Sequence, residues 1–166
     1  PGVLNIVLGH GDPVGATLSS HPGVDMVSFT GSTRAGIAIT KAAADTLKKV
    51  ALELGGKGAN IVFADADEKA VERGTRHVFY NSGQSCNAPT RMLVERGAYE
   101  KAVETAKKVA EETTVGSAHD GGKHIGPVVS KQQWDKIQDL IQKGIDEGAR
   151  LVAGGTGLPE GVNRGY

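Results

Sequence analysis

The sequence predicts an α/β protein in which parallel sheets are covered by helices, and three observations carry that expectation. Short apolar runs rich in β-branched residues alternate with stretches whose apolar residues recur every three or four positions, the pattern of successive strand–helix units. Glycine supplies 24 of 166 residues, about twice the usual share of roughly 7%. Those glycines fall between the apolar segments without a fixed period, as tight strand–helix turns require, and no internal repeat is visible.

Residues 5–8 read as the first strand. Asp12-Pro13 offers a helix N-cap and a proline at the first helical position, opening a short helix that stops at His21-Pro22. Residues 25–29 form the next strand and lead into the turn Thr30-Gly31-Ser32. A helix follows from Thr33, with Gly36, Ile39, Ala43 and Leu47 along one face. Residues 49–54 are a third strand, ending in Gly55-Gly56, and residues 60–63 a fourth. Asp67 then caps a helix presenting Val71, Thr75, Val78 and Phe79, and a polar loop over residues 81–89 precedes a strand near 91–95. Tyr99, Ala102, Val103, Ala106, Val109 and Ala110 make the cleanest amphipathic stripe. Ser130 with Gln133 is a capping box for a helix showing Trp134, Ile137, Ile141 and Ile145. Gly148 ends it, and residues 150–153 read as a strand before a glycine-rich tail.

The boundary falls at Gly55-Gly56, where one strand–helix series ends and another begins, dividing the chain into residues 1–54 and 55–166. The fold is expected to be unfinished at both ends: no initiator Met opens the chain, and it stops just after the last expected strand.

Bulk properties exclude several classes. Acidic and basic residues balance at 19 each, which leaves no electrostatic ground for a nucleic-acid or anionic-membrane partner. There is no apolar run long enough to span a bilayer, and the opening residues show no signal-peptide pattern. The single cysteine excludes an intrachain disulfide framework and fits a reducing compartment, so a cytoplasmic location is expected. His119 and His124 are the closest histidine pair; they lack zinc-site spacing and read as solvated loop residues, so no metal is expected.

Four places carry candidate chemistry. At Thr30-Gly31-Ser32 a strand ends, a glycine permits a tight turn and a helix begins. Free N–H groups and the helix dipole at such a turn suit phosphates, although plain turns of this kind recur throughout α/β folds. Gly9-His10-Gly11 with Gly15 offers a second turn, spaced G-x-G-x-x-x-G, which is not the six-residue dinucleotide fingerprint. Cys86 lies among small polar residues in Asn81-Ser82-Gly83-Gln84-Ser85-Cys86-Asn87, where an accessible, reactive thiol fits better than a packed one. Glu53 stands in a strand expected to be buried on both faces, where an ionised carboxylate is costly. That suits a general base, or a strand-end Glu paired with a neighbour such as Lys57.

Together, and in this order, Phe29-Thr30-Gly31-Ser32-Thr33, Leu52-Glu53-Leu54-Gly55-Gly56-Lys57 and Gly83-Gln84-Ser85-Cys86 resemble the aldehyde dehydrogenase superfamily. The likeness extends across the chain, from Pro1-Gly2-Val3-Leu4-Asn5-Ile6-Val7 to Gly126-Pro127-Val128 before Trp134. The resemblance implies an incomplete Rossmann-like parallel-sheet fold, with the end of a cofactor domain in residues 1–54 and the start of a thiol-bearing catalytic domain in 55–166. It makes Cys86 the catalytic thiol and Glu53 the general base, with Lys57 following the base as a structural partner. Gly31 and Ser32 would lie near the cofactor pyrophosphate, Thr30 and Leu54 near the nicotinamide, and Gly9 would add a further cofactor contact. Ser85 and Asn87 would line the aldehyde pocket.

The implied reaction is oxidation of an aldehyde to its acid through a thiohemiacetal and then a thioester on Cys86, with water activated by Glu53. NAD is the expected cofactor, with NADP left open, and the parent enzyme is expected to be a homo-oligomer. The resemblance also implies that the oxyanion-hole Asn, the Lys/Glu region reading the adenine ribose and the Glu-rich motif holding the nicotinamide ribose lie outside these residues. The isolated chain is therefore not expected to turn over. Two other classes remain: a nucleotide-binding module with a redox-sensitive thiol, and a cofactor-independent thioesterase-like relative.

Overall fold

The computed structural model describes residues 2–166. The chain divides into two compact units, the first ending at Gly56 and the second running from Lys57 to Tyr166.

In the first unit a π-type turn, Gly11–Gly15, leads into a short helix α1, Ala16–Ser20. Strand β1, Met26–Thr30, is followed by helix α2, Thr33–Ala44, and strand β2, Lys49–Glu53. The two strands pair in parallel from Met26 against Lys49 to Thr30 against Glu53. Parallel pairing needs a crossover, and α2 supplies it. Gly36 is what lets α2 sit close: a Cβ there would come within 2.7 Å of the Leu54 side chain.

The second unit repeats the plan. Strand β3, Ala59–Val62, and strand β4, Arg91–Val94, pair in parallel, joined through helix α3, Ala70–Phe79. Asn60, Val62, Met92 and Val94 turn toward the covered face, while Ile61 and Leu93 on the alternate positions are more than half exposed. Gly74 brings α3 onto the covered face, where a Cβ would meet the Asn60 amide and lie 3.1 Å from Met92 Cε. Helix α4, Tyr99–Glu112, packs on α3 through buried Ala102 and Val109, and helix α5, Lys131–Asp146, follows. A parallel bridge joins Val115 to Ile125.

Several expectations are corrected. Residues 5–8 are not a strand: they run as coil, with Ile6 79% and Leu8 89% exposed. Residues 150–153 are likewise irregular, and Leu151 is half exposed. Apolar composition favours a strand only where a neighbouring strand completes the ladder, and neither segment pairs with one among the described residues. Asp12 caps nothing; it lies inside the π-type turn with extended φ/ψ, and regular helix begins only at Ala16. Leu47 is not on the α2 face, because α2 ends at Ala44 and Leu47 turns outward at φ +50°. The buried residue there is Lys48, whose Nζ donates to His21 O at 2.9 Å and Thr46 Oγ1 at 2.7 Å. Asp67 works just before α3 by accepting from Lys69 N and Arg73 Nη1, both at 2.8 Å. Of the Ser130–Gln133 box, the serine half is formed: Gln133 N donates to Ser130 Oγ at 3.3 Å.

Candidate active site

In the first unit the candidate residues gather at the carboxyl ends of two paired strands. Thr30 ends β1 opposite Glu53, which ends β2, and Gly31 N donates to Glu53 O at 3.0 Å. That bond carries the pairing one residue past the strand and sets the turn beside the carboxylate's own backbone. Ser32 then caps α2, its Oγ accepting from Ala35 N at 3.2 Å. Thr33 and Arg34, in the first turn of α2, have no carbonyl four residues back within the helix, so their N–H groups are available to an anion. Gly31 has a packing reason as well, since a Cβ there would collide with the Phe29 ring.

Glu53 itself is exposed, which corrects the expectation of a strand buried on both faces. The sheet that carries it has two strands, and Glu53 is the last residue of one of them. Leu54 is half-buried against Gly36 of α2. Gly9 lies in an exposed, irregular stretch ahead of the π-type turn, and no regular helix opens directly after it.

The second unit carries the thiol. Tyr80–Gly83 forms a tight turn after α3 in which Asn81, Ser82 and Gly83 all adopt positive φ, at +50°, +55° and +74°. The two non-glycine residues are each disfavoured there by roughly 1–2 kcal/mol, Asn less than Ser. Their geometry is held by partners: Ser82 Oγ donates to Gly126 O at 2.7 Å, Gln84 N donates to Asn81 O at 3.1 Å, and Val129 N donates to Gln84 Oε1 at 2.9 Å. The next turn is closed by Ala88 N donating to Ser85 O at 3.1 Å, which makes Cys86 and Asn87 its two central residues. Cys86 and Asn87 are exposed, Ser85 is half-buried, and Ala88 is fully buried as the foot of the turn. Lys57 Nζ donates to Gly83 O at 3.0 Å and to Ser85 O at 2.9 Å.

The structure thus joins Thr30, Gly31, Ser32 and Glu53 in one cluster, and Ser85, Cys86 and Asn87 in one turn. The ties from Ser82, Gln84 and Lys57 were not foreseen; the small and amide residues around Gly83 were the one signal of a tightly folded loop.

A cleft of about 710 Å³ in the second unit is lined by Arg76, Phe79, Tyr80, Ser82, Lys123 and Ile125 among others. A smaller one, about 180 Å³, has Trp134, Ile137 and Tyr166 in its wall. Neither is lined by Ser85, Cys86 or Asn87. His124 has a ring nitrogen 2.9 Å from Ser117 O. Among the described residues no three His, Cys, Asp or Glu side chains converge as metal ligands would, and no helix is long and apolar enough to cross a membrane.

A family model described as the aldehyde dehydrogenase family matches residues 1–166. A 3-succinoylsemialdehyde-pyridine dehydrogenase of a Pseudomonas species is 52% identical over all of this chain and 35% of its own length. The crystal structure of an aldehyde dehydrogenase from Bartonella henselae superposes with a TM-score of 0.93 at 70% identity, covering 95% of this chain and 33% of that one. Aldehyde dehydrogenase C of Pseudomonas syringae, solved as a mutant with NAD+ and octanal, superposes with a TM-score of 0.89 at 43% identity, covering 93% and 32%. The chain therefore spans about a third of the length of the relatives it matches.

Proposed function

The chain belongs to the aldehyde dehydrogenase family, and from that premise we propose that it supplies the nucleophile Cys86 and the general base Glu53 of an enzyme that oxidises an aldehyde to its acid with NAD(P)+. The observation that carries this reading is the placement of the only thiol, exposed at the centre of a turn whose foot is buried. A redox sensor needs the exposed thiol alone; the second cluster around Glu53 favours a two-residue reaction over a sensor.

The first unit's turn fits a dinucleotide phosphate by its donors: the opening N–H groups of α2 and a glycine that keeps the turn tight. Gly31, Ser32 and the start of α2 would hold the pyrophosphate, with Thr30 and Leu54 nearer the nicotinamide. NAD(P)+, when bound, supplies the hydride acceptor. The rest falls to the chain's own residues. The Cys86 thiolate adds to the aldehyde carbon, and N–H groups near Cys86 stabilise the oxyanion that forms. Loss of hydride leaves a thioester on sulfur. Glu53, exposed and so reachable by water, takes a proton as water attacks that thioester; the acid leaves and the thiolate returns. Ser85 and Asn87 flank the thiol and would line one side of the aldehyde pocket.

The division after Gly56 supports assigning residues 1–54 to the end of a cofactor domain and 55–166 to the start of a catalytic domain. We place the activity in a polypeptide of the relatives' length, homo-oligomeric and cytoplasmic, with a small-molecule aldehyde as substrate and no nucleic-acid or membrane partner.

In that polypeptide Cys86→Ala removes both aldehyde-dependent NADH formation and ester hydrolysis. Glu53→Gln leaves the acylation burst intact and slows thioester hydrolysis by about 10²–10⁴-fold. Full steady-state turnover by Glu53→Gln, with hydrolysis known to be limiting, removes the base assignment. Acyl transfer without any dependence on NAD(P)+ would favour the thioesterase-like class instead.

A further inference from the structure

We propose that Lys57 is the positioning residue that holds the Cys86 turn in its reactive geometry; the proposal rests on Cys86 being the nucleophile. Lys57 Nζ reaches two carbonyls of one loop, Gly83 O at 3.0 Å and Ser85 O at 2.9 Å. Ser85 O is also the acceptor that closes the turn, taking Ala88 N at 3.1 Å. The ammonium therefore grips the atom that makes Cys86 and Asn87 the central residues of that turn. The anchor is itself anchored. Lys57 O accepts from Arg91 Nη2 at 3.3 Å, and Arg91 opens β4 in register with Ala59 of β3. The other long-range ties on this loop, Ser82 to Gly126 and Gln84 to Val129, act on residues further from the thiol. Lys57 acts on the residue immediately before Cys86.

Both bonds are exposed, so water replaces the donors when Lys57 is lost, and the loss falls on order in the turn more than on global stability. Catalysis is more sensitive than stability to such a loss, because a displacement of about 1 Å lowers a rate by roughly a hundredfold. Lys57 is placed to act through hydrogen bonds to carbonyl oxygens. A replacement that keeps N–H donors at similar reach therefore preserves its effect, and one that keeps only the length does not.

The test uses the full-length enzyme and reads the acylation burst with p-nitrophenyl acetate, the KM for NAD+, and deuterium uptake over residues 83–88. Lys57→Met is expected to slow the burst by about tenfold or more, raise uptake over that segment and leave the cofactor KM unchanged. Lys57→Arg is expected to stay close to the parent in all three. A Lys57→Met enzyme with parental burst and uptake overturns the proposal, as does a Lys57→Arg enzyme as slow as Lys57→Met. If Lys57→Met does not fold, Lys57→Gln decides: its shorter donor must slow the burst and raise uptake relative to Lys57→Arg, and parental values overturn the proposal. Cys86→Ala in the same assay keeps the two readings apart. A burst that survives it overturns the nucleophile; its loss beside a parental Lys57→Met burst overturns only Lys57.

Discussion

At the residue scale, the chemistry of this chain depends on where single side chains end up relative to backbone carbonyls and N–H groups. Cys86 and Glu53 were legible because their residue types are out of keeping with their surroundings: a thiol in a polar loop, a carboxylate in an apolar strand. Lys57 was legible as a candidate partner of Glu53 and a structural residue after the base, but not as a donor to the thiol loop, since the carbonyls it reaches are 26 and 28 residues away. Asp67 shows how such local bonds report themselves in solution. The Lys69 backbone N–H, then the Arg73 guanidinium, hold its carboxyl below the usual carboxylate range. A folded-state value below the unfolded one means the contribution is complete above about pH 4 and fades as pH falls through the lower folded value. Asp67→Asn should therefore melt slightly below the parent at pH 7, with a smaller difference at pH 2. A gap of the same size at both pH values would remove the charge-based account.

At the element scale, α2 and α5 begin where a short side chain satisfies an early N–H group, whereas α1, α3 and α4 have no side-chain cap. Ser32 and Ser130 both cap in this way; of the two, only Ser130 was read as a cap from the sequence, Ser32 being placed in the turn ahead of α2. Alanine at either position should cost about 1 kcal/mol in equilibrium unfolding. Only Ser32→Ala should also weaken NAD+ binding by the full-length enzyme, because only α2 opens beside Glu53. Equal NAD+ affinity in the Ser32→Ala and Ser130→Ala enzymes would detach α2 from the cofactor. Strands were less legible. Residues 5–8 and 150–153 have the composition of strands and run as coil, because a strand's stability lies in its ladder with a neighbour and not in its own residues.

At the scale of the whole molecule, the chain is short of interior. Among the described residues the buried apolar ones are few and small: Ala43, Val62, Ala88, Ala102 and Val109. Two-stranded sheets are marginal alone, and open edges recruit other chains. The isolated 166-residue chain should accordingly self-associate as its concentration rises, seen by sedimentation, and should produce no NADH from an aldehyde. Aldehyde-dependent turnover by a sample of intact mass 17.2 kDa would show that the active site needs nothing beyond these residues.

Sequence alone determined the α/β class, the alternation of strand and helix over most of the chain, the Ser130 cap and the choice of Cys86 and Glu53 as the two groups proposed to react. Each is encoded within a few neighbouring residues: a period of apolar positions, a hydroxyl before a helix, an ordered set of short motifs. Tertiary structure decided which apolar segments pair as strands, that Glu53 is exposed, and that Lys57 and Ala88 both donate to Ser85 O, the acceptor that closes the Cys86 turn. Those outcomes depend on groups brought together from distant points of the chain. The free energy of a hydrogen bond or a buried contact exists only once both partners have met, so no local pattern carries it.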